Sequence, residues 1–452
     1  MISRIFKIKE NNTTITREIL GGLTTFMTMS YIIFVQPAVL SNCAMDKGAV
    51  FVATCVSSAI ACFIMGIWGN YPIALAPAMG HNFYFAFVAI PLIAAKLPAE
   101  STSEPWAIGL GIVFISGTIF MLLSFAGIRE MIVNAIPSSL KNAIAVGIGL
   151  LIALIGFEWG GIIEPHPTTL ITLTSFKSAS PLTYLCMFGL LVTAVLTVLN
   201  VKGSILIGLI CTTVTGVVCG LIPYHGIFEP NLPSVTPTLL KLDIIGALKI
   251  GLPVVIFVFF FLDLFDTIGT LIGVSEQAGF IGDDGKLPRA RKALFSDAAG
   301  TVFGSLLGTS TVTSYIESAA GVSSGARTGL ANMITGLCML LALYFSPLVE
   351  MVGVGIVSKN GVTLYPVVAP ALIMVGYMMM TNITRIDWNR PAEAISAFFT
   401  MIIMPFGFGI TEGISFGFIS YTLFKTVNRQ WRDVHPVMYI FSALFIIRYI
   451  VS

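Results

Sequence analysis

Apolar runs of about 20 residues recur along almost the whole chain, and short segments that carry most of the Lys and Arg residues separate them. A helix needs about 20 mainly apolar residues to cross the hydrocarbon core of a bilayer. The pattern predicts membrane spans at 18–40, 48–69, 71–92, 106–126, 138–157, 181–200, 203–222, 247–276, 292–308, 310–325, 328–346, 364–381, 392–409 and 412–427. For the last apolar stretch, 435–451, we expect a position along the membrane interface or against the helix bundle.

Composition agrees with an all-α polytopic membrane protein of a cell membrane. The chain is 56% hydrophobic and 10% charged, whereas soluble domains carry about 25% charged residues. The net charge of +2 is too small to indicate a nucleic-acid partner. Neither the four widely separated His residues nor the seven Cys residues show metal-ligand spacing. We therefore expect neither an enzyme nor a metal or other cofactor.

The distribution of positive charge predicts the orientation. Cytoplasmic loops carry an excess of Lys and Arg. With a cytoplasmic N-terminus, the fourteen predicted spans put 17 of the 24 basic residues inside and 6 outside, and leave Arg448 unassigned. We expect both ends of the spanning region on the cytoplasmic side of a membrane, and specifically of a bacterial inner membrane.

Fourteen spans divide into two sets of seven, and an odd number per set inserts the sets in opposite orientations. This is the inverted-repeat plan of many secondary transporters. The predicted organisation is a cytoplasmic segment at 1–17, a first repeat at 18–222, a linker at 223–246, a second repeat at 247–427 and a C-terminal segment at 428–452.

The third span of each predicted repeat is interrupted. Pro77 and Gly80 break the helix pattern in APAMG, and a half-helix is expected to begin near Gly80. The corresponding tenth span opens with TSTVTS (309–314), which favours extended backbone. Because paired broken segments mark the midplane site of many transporters, the two breaks predict a site between them.

Three acidic residues lie within apolar stretches beside these breaks. Asp263 and Asp266 belong to the eighth span, and Glu317 belongs to the tenth. A charge at bilayer depth costs about 2.5–3.5 kcal/mol on insertion scales, so it usually faces a cavity. Asp263, Asp266, Thr267 and Thr270 share one helical stripe, with Phe residues around it. The alternative is that one of the Asp residues, Asp263 above all, only pairs with a buried hydroxyl.

These segments resemble the nucleobase–cation symporter family, in its AzgA-like branch of hypoxanthine/adenine/guanine permeases. The resemblance covers almost the whole chain. It rests on TREILGGLTTFMTMSYIIFVQPAVLS (16–41), ALAPAMGHNFYFAF (74–87), FLDLFDTIGTLIGVSEQAG (261–279), LPRARKALFSDAAGTVFGSLLGTSTVTSYIESAAGVSSGARTGL (287–330) and RPAEAISAFFTMIIMPFGFGITEGISFGFISY (390–421). It implies two inverted seven-span repeats arranged as core and gate domains, with short strand-like stretches in spans 3 and 10. A homodimer is a further family expectation.

The resemblance also implies site residues. Glu317 matches the carboxylate that grips the base, with Ser318 after it. Asp266 and Thr270 match the acidic and polar positions of the eighth span, and Gly80 and Asn82 match a Gly-x-Asn motif in the third span.

The third-span string departs from the family pattern APGMG followed by Leu-Asn. Ala78 replaces Gly, and His81 replaces the apolar residue. His81 either reaches the pocket, where it can titrate near neutral pH, or bonds to a neighbouring span. Together with Phe83, which is a candidate for stacking on the ligand, these changes leave open which base is bound.

The predicted function is secondary active import of a purine base (hypoxanthine, guanine, adenine or xanthine) by proton symport with alternating, elevator-like access. We expect a carboxylate to accept from adjacent N–H groups of the base. Backbone groups of 78–82 and 310–314, with Thr313 among them, complete the contacts. Asp266, Glu317 and Asp263 are the candidates for proton coupling, and sodium stays open as the coupling ion. The alternatives are a nucleobase facilitator or channel and a related-fold anion transporter.

Overall fold

The computed structural model describes residues 2–98, 103–126, 136–175, 177, 179–250, 253–280, 287–358 and 361–451. Most of these residues are helical. The first half contains α1 (Ile2–Ile5), α2 (Ile15–Met29), α3 (Ile32–Leu40), α4 (Lys47–Ile64), β1 (Leu75–Pro77), α5 (Met79–Tyr84), α6 (Ile90–Lys96), α7 (Pro105–Ala126), α8 (Ser138–Trp159), β2 (Ile163–His166), β3 (Leu170–Leu173), α9 (Pro181–Val198) and α10 (Ser204–Val218).

The second half repeats this alternation of long helices with one broken segment. It contains α11 (Ile244–Lys249), α12 (Pro253–Ala278), α13 (Ala290–Leu307), β4 (Val312–Ser314), α14 (Ser318–Ser323), α15 (Gly329–Ala342), α16 (Ser346–Val352), β5 (Ile356–Val357), β6 (Thr363–Leu364), α17 (Val368–Met380), α18 (Pro391–Phe406), α19 (Ile410–Val427) and α20 (Pro436–Val451).

Within the described ranges, seven helical stretches are long and apolar enough to cross a membrane. They are Ile15–Cys43, Lys47–Gly69, Pro105–Ser124, Ser138–Trp159, Pro181–Val198, Val258–Ser275 and Gly329–Val352. Shorter apolar helices follow the same pattern, among them Ser204–Val218 and Pro391–Phe406. The chain is therefore a multi-pass membrane protein, as its hydropathy predicts.

The helices pack chiefly within two groups. In the first group, α15 packs against α2 and α4, and α13 packs against α4 and α7. In the second, α8 packs against α17 and α18, and α9 packs against α10 and α17. Helix α4 of the first half thus contacts α15 of the second half, and α7 of the first half contacts α13 of the second.

Glycine allows the closest helix contacts in the first group. A Cβ atom added to Gly329 at the start of α15 would lie 1.9 Å from the carbonyl oxygen of Gly66. Helices in membranes approach closely where small residues face each other. The backbones of these two segments are therefore in direct contact.

The two interrupted segments meet in a short antiparallel strand pair. Leu75 pairs with Ser314, and Pro77 pairs with Val312. Two backbone hydrogen bonds extend the pairing, from the Ala78 N–H to the Thr311 oxygen and from the Tyr315 N–H to the Ala74 oxygen, each at 2.9 Å. Proline lacks an N–H and threonine is β-branched, so both segments favour extended backbone over helix at this point.

The strand pair is buried inside the helix bundle. Leu75 and Ala76 are fully buried, and so is Val312 on the partner strand. Non-helical backbone at membrane depth is tolerated only where it is enclosed by protein or lines a cavity. Helix α5 begins two residues after the end of β1, and α14 begins four residues after the end of β4, so both short helices start at this crossing.

Candidate functional site

Glu317 lies at the crossing, directly before α14. The Tyr31 hydroxyl donates a hydrogen bond of 2.6 Å to Glu317 Oε1, and the Thr28 hydroxyl donates one of 3.3 Å to the Glu317 backbone oxygen. The Glu317 side chain is half-buried. Thr28 near the end of α2 and Tyr31 directly before α3 therefore hold Glu317 on one side.

Asp266 lies on α12 and faces the same region. Its side chain keeps 32% of its exposure, and its Oδ2 atom lies 3.8 Å from Nδ1 of His81. The carboxylates of Asp297 and Glu317 are close enough to Asp266 for their charges to interact. Asp266 and Glu317 therefore lie in the same region of the structure.

A fourth carboxylate, Asp297 on α13, lies behind the strand pair and was not among the residues selected from the sequence. It is fully buried. It accepts hydrogen bonds from the Thr267 hydroxyl at 2.6 Å, from the Thr313 hydroxyl at 3.1 Å and from the Ser314 N–H at 2.9 Å. Asp297 therefore fastens β4 to α12 and α13.

Asp263 faces this buried network and not the more exposed side of α12. It is 1% exposed, and its Oδ1 atom lies 3.4 Å from the Thr267 hydroxyl, one turn away. Asp263 and Asp266 share a helical stripe in the sequence, yet they have different surroundings. Asp263 has buried hydroxyl neighbours, whereas Asp266 remains partly open.

Several predicted ligand residues hold the crossing together. Ser318 Oγ accepts a hydrogen bond of 3.0 Å from the Ala74 N–H, and Ala78 caps the start of α5 with extended backbone. A Cβ atom added to Gly80 would lie 3.0 Å from Ile148 of α8, so this glycine permits a close helix approach. Thr270 is buried one turn after Asp266.

His81 and Asn82 are buried polar residues on α5. Neither ring nitrogen of His81, nor Asn82 Nδ2, has a hydrogen-bond partner within the described part of the chain. The side-chain oxygen Oδ1 of Asn82 accepts a hydrogen bond from the Ser310 hydroxyl. Gln36 of α3 donates to Thr309 Oγ1 at 2.9 Å and to Ser310 Oγ at 3.3 Å. This network joins α3, α5 and the segment that leads into β4.

Phe83 packs among aromatic side chains. Its ring stacks on Phe87, with centroids 5.8 Å apart, and meets Trp159 edge-on at 6.1 Å. Trp159 in turn packs against Tyr365 with centroids 4.4 Å apart. This cluster joins the third-span segment to α8 and the start of α17.

The arrangement offers oxygen acceptors to a ligand with N–H groups. Asp266 and Glu317 both come from the second half of the chain, and the polar groups of His81 and Asn82 on α5 come from the first half. Among the residues the structure describes, no group of three His, Cys, Asp or Glu side chains is placed to hold a metal ion. Carboxylates can accept charge-assisted hydrogen bonds, which are roughly twice as strong as those between neutral groups.

Known proteins match this chain over nearly its full length. A family model described as Permease family matches residues 16–416. The putative permease MJ0326 of Methanocaldococcus jannaschii is 44% identical over 450 residues, covering 99% of this chain and 98% of that protein. The adenine permease AdeP of Escherichia coli is 40% identical, with 99% and 96% covered. The guanine/hypoxanthine permease PbuG of Bacillus subtilis is 41% identical, with 98% of each chain covered.

Solved structures with the same fold include anion transporters. The transmembrane domain of the cyanobacterial bicarbonate transporter BicA superposes with a TM-score of 0.63 and 15% identity, covering 89% of this chain and 97% of that domain. The structure of SLC26A9 gives a TM-score of 0.61 with 10% identity, over 91% of this chain and 66% of that one. At this level of identity the likeness concerns the fold alone.

Proposed function

The chain belongs to the permease family, and from this premise we propose that it is a secondary active transporter that imports a purine nucleobase. One observation carries the proposal. Relatives named as adenine and guanine/hypoxanthine permeases are 40% and 41% identical over nearly the full length. The convergence of Asp266 and Glu317 at the strand pair supports it, because a neutral purine presents N–H groups that carboxylates can bind.

In the proposed binding mode, Glu317 accepts hydrogen bonds from adjacent N–H groups of the base. The hydrogen bond from Tyr31 supports this role because it fixes the orientation of the carboxylate. Asp266, Thr270 and the α5 residues Ala78, Gly80, His81 and Asn82 surround the rest of the base. Thr313 and Ser318 act mainly through the strand pair that they stabilise, and Phe83 through its aromatic cluster.

The proposed coupling ion is a proton carried on Asp266 or Glu317. Asp263 stands behind them in the hydroxyl network and takes part less directly. Neutralising a carboxylate lowers the cost of moving it through the membrane, so protonation and base binding favour each other. Transport that follows a sodium gradient in place of the pH gradient would assign the coupling to sodium.

The proposed architecture has fourteen spans in two inverted seven-span repeats, with the N-terminus in the cytoplasm. The mirrored contacts of α4 with α15 and of α7 with α13 support the repeat. The two packing groups support a core domain, formed by α2–α7 and α12–α15, that moves like an elevator against a gate domain. A homodimer is part of the proposal as the family arrangement.

Uptake of radiolabelled base tests the function. The protein is expressed in cells that lack purine permeases of their own. Uptake of hypoxanthine, guanine, adenine and xanthine is then measured, with unlabelled purines and pyrimidines as competitors. We expect accumulation of at least one purine above its external concentration and loss of accumulation with a protonophore. Glu317→Gln and Asp266→Asn are expected to reach the membrane and to abolish accumulation.

Two other functions give different results. A facilitator or channel equilibrates the base without accumulating it, and a protonophore then has no effect. An anion transporter of the BicA fold would move bicarbonate and ignore purines. The carboxylates at the site argue against an anion, because two negative groups facing a bound anion repel it.

A further inference from the structure

His81 is the buried polar side chain that the proposed binding mode uses least. It is 2% exposed, and neither of its ring nitrogens has a hydrogen-bond partner among the described residues. A buried polar group without a hydrogen bond is unfavourable, so such a group in a native site requires an explanation. In a transporter, one explanation is a partner that is present in only part of the cycle.

The side chain closest to meeting this need is Asp266. His81 Nδ1 lies 3.8 Å from Asp266 Oδ2, which is beyond hydrogen-bond distance by about 1 Å. A small movement of α5 against α12 closes this gap. The imidazole then donates to the carboxylate, or a protonated carboxyl group donates to the imidazole.

The surroundings favour a bound proton on this pair. The carboxylates of Asp297 and Glu317 interact with Asp266, and the phenols of Tyr31 and Tyr315 lie within reach of the same charges. Asp263 lies on the same helix, one turn before Asp266. Because the charged groups that face Asp266 from α13 and from the segment before α14 are negative, they attract a proton to the pair.

We propose that His81 and Asp266 form one proton-binding pair and that this pair, not a single carboxylate, carries the coupling proton. The inference rests on the proposed function and deepens it. One proton enters from the external water and forms one N–H or O–H bond, and the same bond breaks when the proton leaves to the cytoplasm. With the proton bound, the pair has no net charge in either arrangement.

The imidazole changes the pH range in which the pair works. A hydrogen bond from the protonated carboxyl group of Asp266 to the imidazole stabilises the proton-bound form of the pair. Interacting groups titrate as a unit, so the pair holds its proton at a higher pH than the carboxylate alone would. Transport with His81 present therefore continues to a higher external pH.

The test is the pH profile of uptake in His81→Leu and His81→Gln. Glutamine can still bond to Asp266 but cannot take up a proton, so it separates hydrogen bonding from titration. In both variants we expect the alkaline limb of the uptake profile to move to lower pH by about one unit. His166→Gln, which removes a histidine from the exposed β2–β3 hairpin, is the matched control and keeps the parent profile.

A second measurement keeps the test independent of transport. Purified protein in weakly buffered detergent is mixed with the base that gave uptake, and a pH indicator follows proton uptake on binding. Near neutral pH, both variants are expected to take up fewer protons per bound base than the parent. If His81→Leu fails to reach the membrane, the measurement is made on His81→Gln, which is the milder change.

The outcomes separate the two hypotheses. Unchanged pH profiles and unchanged proton uptake in both variants overturn the pair and leave the proposed function intact. Loss of base binding at every pH assigns His81 to ligand contact and also overturns the proton role. If the parent accumulates no purine at all, the proposed function fails first, before His81 is tested.

Discussion

At the scale of single residues, the bond between Tyr31 and Glu317 is the contact that prepares a carboxylate for a ligand. The phenol donates to one carboxylate oxygen at 2.6 Å, and this bond fixes the orientation of the carboxyl group. A fixed acceptor loses less entropy when the ligand binds. This contact joins the first predicted span to the tenth.

Tyr31→Phe removes this bond and changes little else. A hydrogen bond to a charged group contributes about 1.5–3 kcal/mol, so we expect the KM for the base to rise about tenfold or more. Tyr344→Phe is the matched control, since Tyr344 is exposed and stacks on Phe228. Equal KM values for the parent and Tyr31→Phe, at equal amounts in the membrane, would contradict the role of this bond.

The sequence predicts some residues of the candidate site and misses others, and the reason differs from residue to residue. Asp266 and Glu317 were found because charges within apolar runs are rare. The same rule applies to Asp297, which lies in the predicted span 292–308 and was overlooked. Tyr31 gives no such signal, because a tyrosine in an apolar run is equally at home against lipid. Its role becomes visible only when the fold brings it to Glu317.

At the scale of elements, the contact between Gly66 and Gly329 fixes how α15 lies against the end of α4. An added Cβ at Gly329 would lie 1.9 Å from the Gly66 oxygen, and backbone atoms cannot move aside as a flexible side chain can. The contact leaves no space for even one methyl group.

Gly329→Ala is therefore expected to separate the two helices and to reduce the amount of monodisperse protein strongly. Overpacking of this kind typically costs about 1–3 kcal/mol or more. Gly269→Ala is the control, because a Cβ at Gly269 meets no atom within 4 Å. Size-exclusion profiles and thermal unfolding of both variants measure the difference, and similar stabilities would show that the contact can relax.

The short helix α11 depends on an acidic cap in the predicted linker. Asp243 accepts a hydrogen bond of 2.7 Å from the Gly246 N–H and one of 2.8 Å from the Ser103 hydroxyl. These bonds hold the pKa of the Asp243 carboxyl group below its usual value. A depressed pKa stabilises the folded state above the unfolded pKa of about 3.9, and this stabilisation is lost as the pH falls through the folded pKa.

Asp243→Asn is accordingly expected to lower the melting temperature at neutral pH by a small amount. The free-energy change is at most about 1 kcal/mol, because solvent screens this partly exposed group. The difference from the parent is expected to shrink below about pH 4. A difference that stays constant from acid to neutral pH would mean that the charge of Asp243 plays no part.

Element boundaries followed the sequence where local chemistry decides them. The predicted half-helix near Gly80 begins at Met79, and the threonine-rich TSTVTS contains β4. The pairing of these two segments with each other could only be inferred from the family, since register depends on tertiary contacts. The fate of the last apolar stretch was likewise open. In the structure, Phe441 of α20 packs against Phe261 and Phe418, at 4.5 and 6.2 Å between centroids.

At the scale of the whole molecule, the two packing groups touch at few points, and one of these is a contact between loops. Lys202, between α9 and α10, donates to the Ser324 hydroxyl at the end of α14 at 2.5 Å. If the core moves against the gate, this contact must break in each cycle. Removing it alone has little effect, since exposed polar contacts contribute little to stability.

Tying the two positions together is a stronger test. Lys202→Cys and Ser324→Cys, joined by a short reversible thiol cross-linker, are expected to stop uptake, and a reductant is expected to restore it. Each single variant and the parent, treated in the same way, account for the native cysteines. Full transport by the cross-linked protein would contradict a moving core. If the core does move, the cross-linked protein is expected to bind the base without transporting it.

The strand pair has a consequence for how the protein is made. Its two strands come from opposite halves of the chain, and neither can satisfy its backbone without the other. When only the first seven predicted spans have been synthesised, the strand Leu75–Pro77 still lacks its partner strand, Val312–Ser314. We therefore expect the amino-terminal half to complete its folding only after the carboxy-terminal half has been inserted. If the two halves are produced as separate polypeptides, we expect neither half alone to bind the substrate and the reassembled pair to bind it.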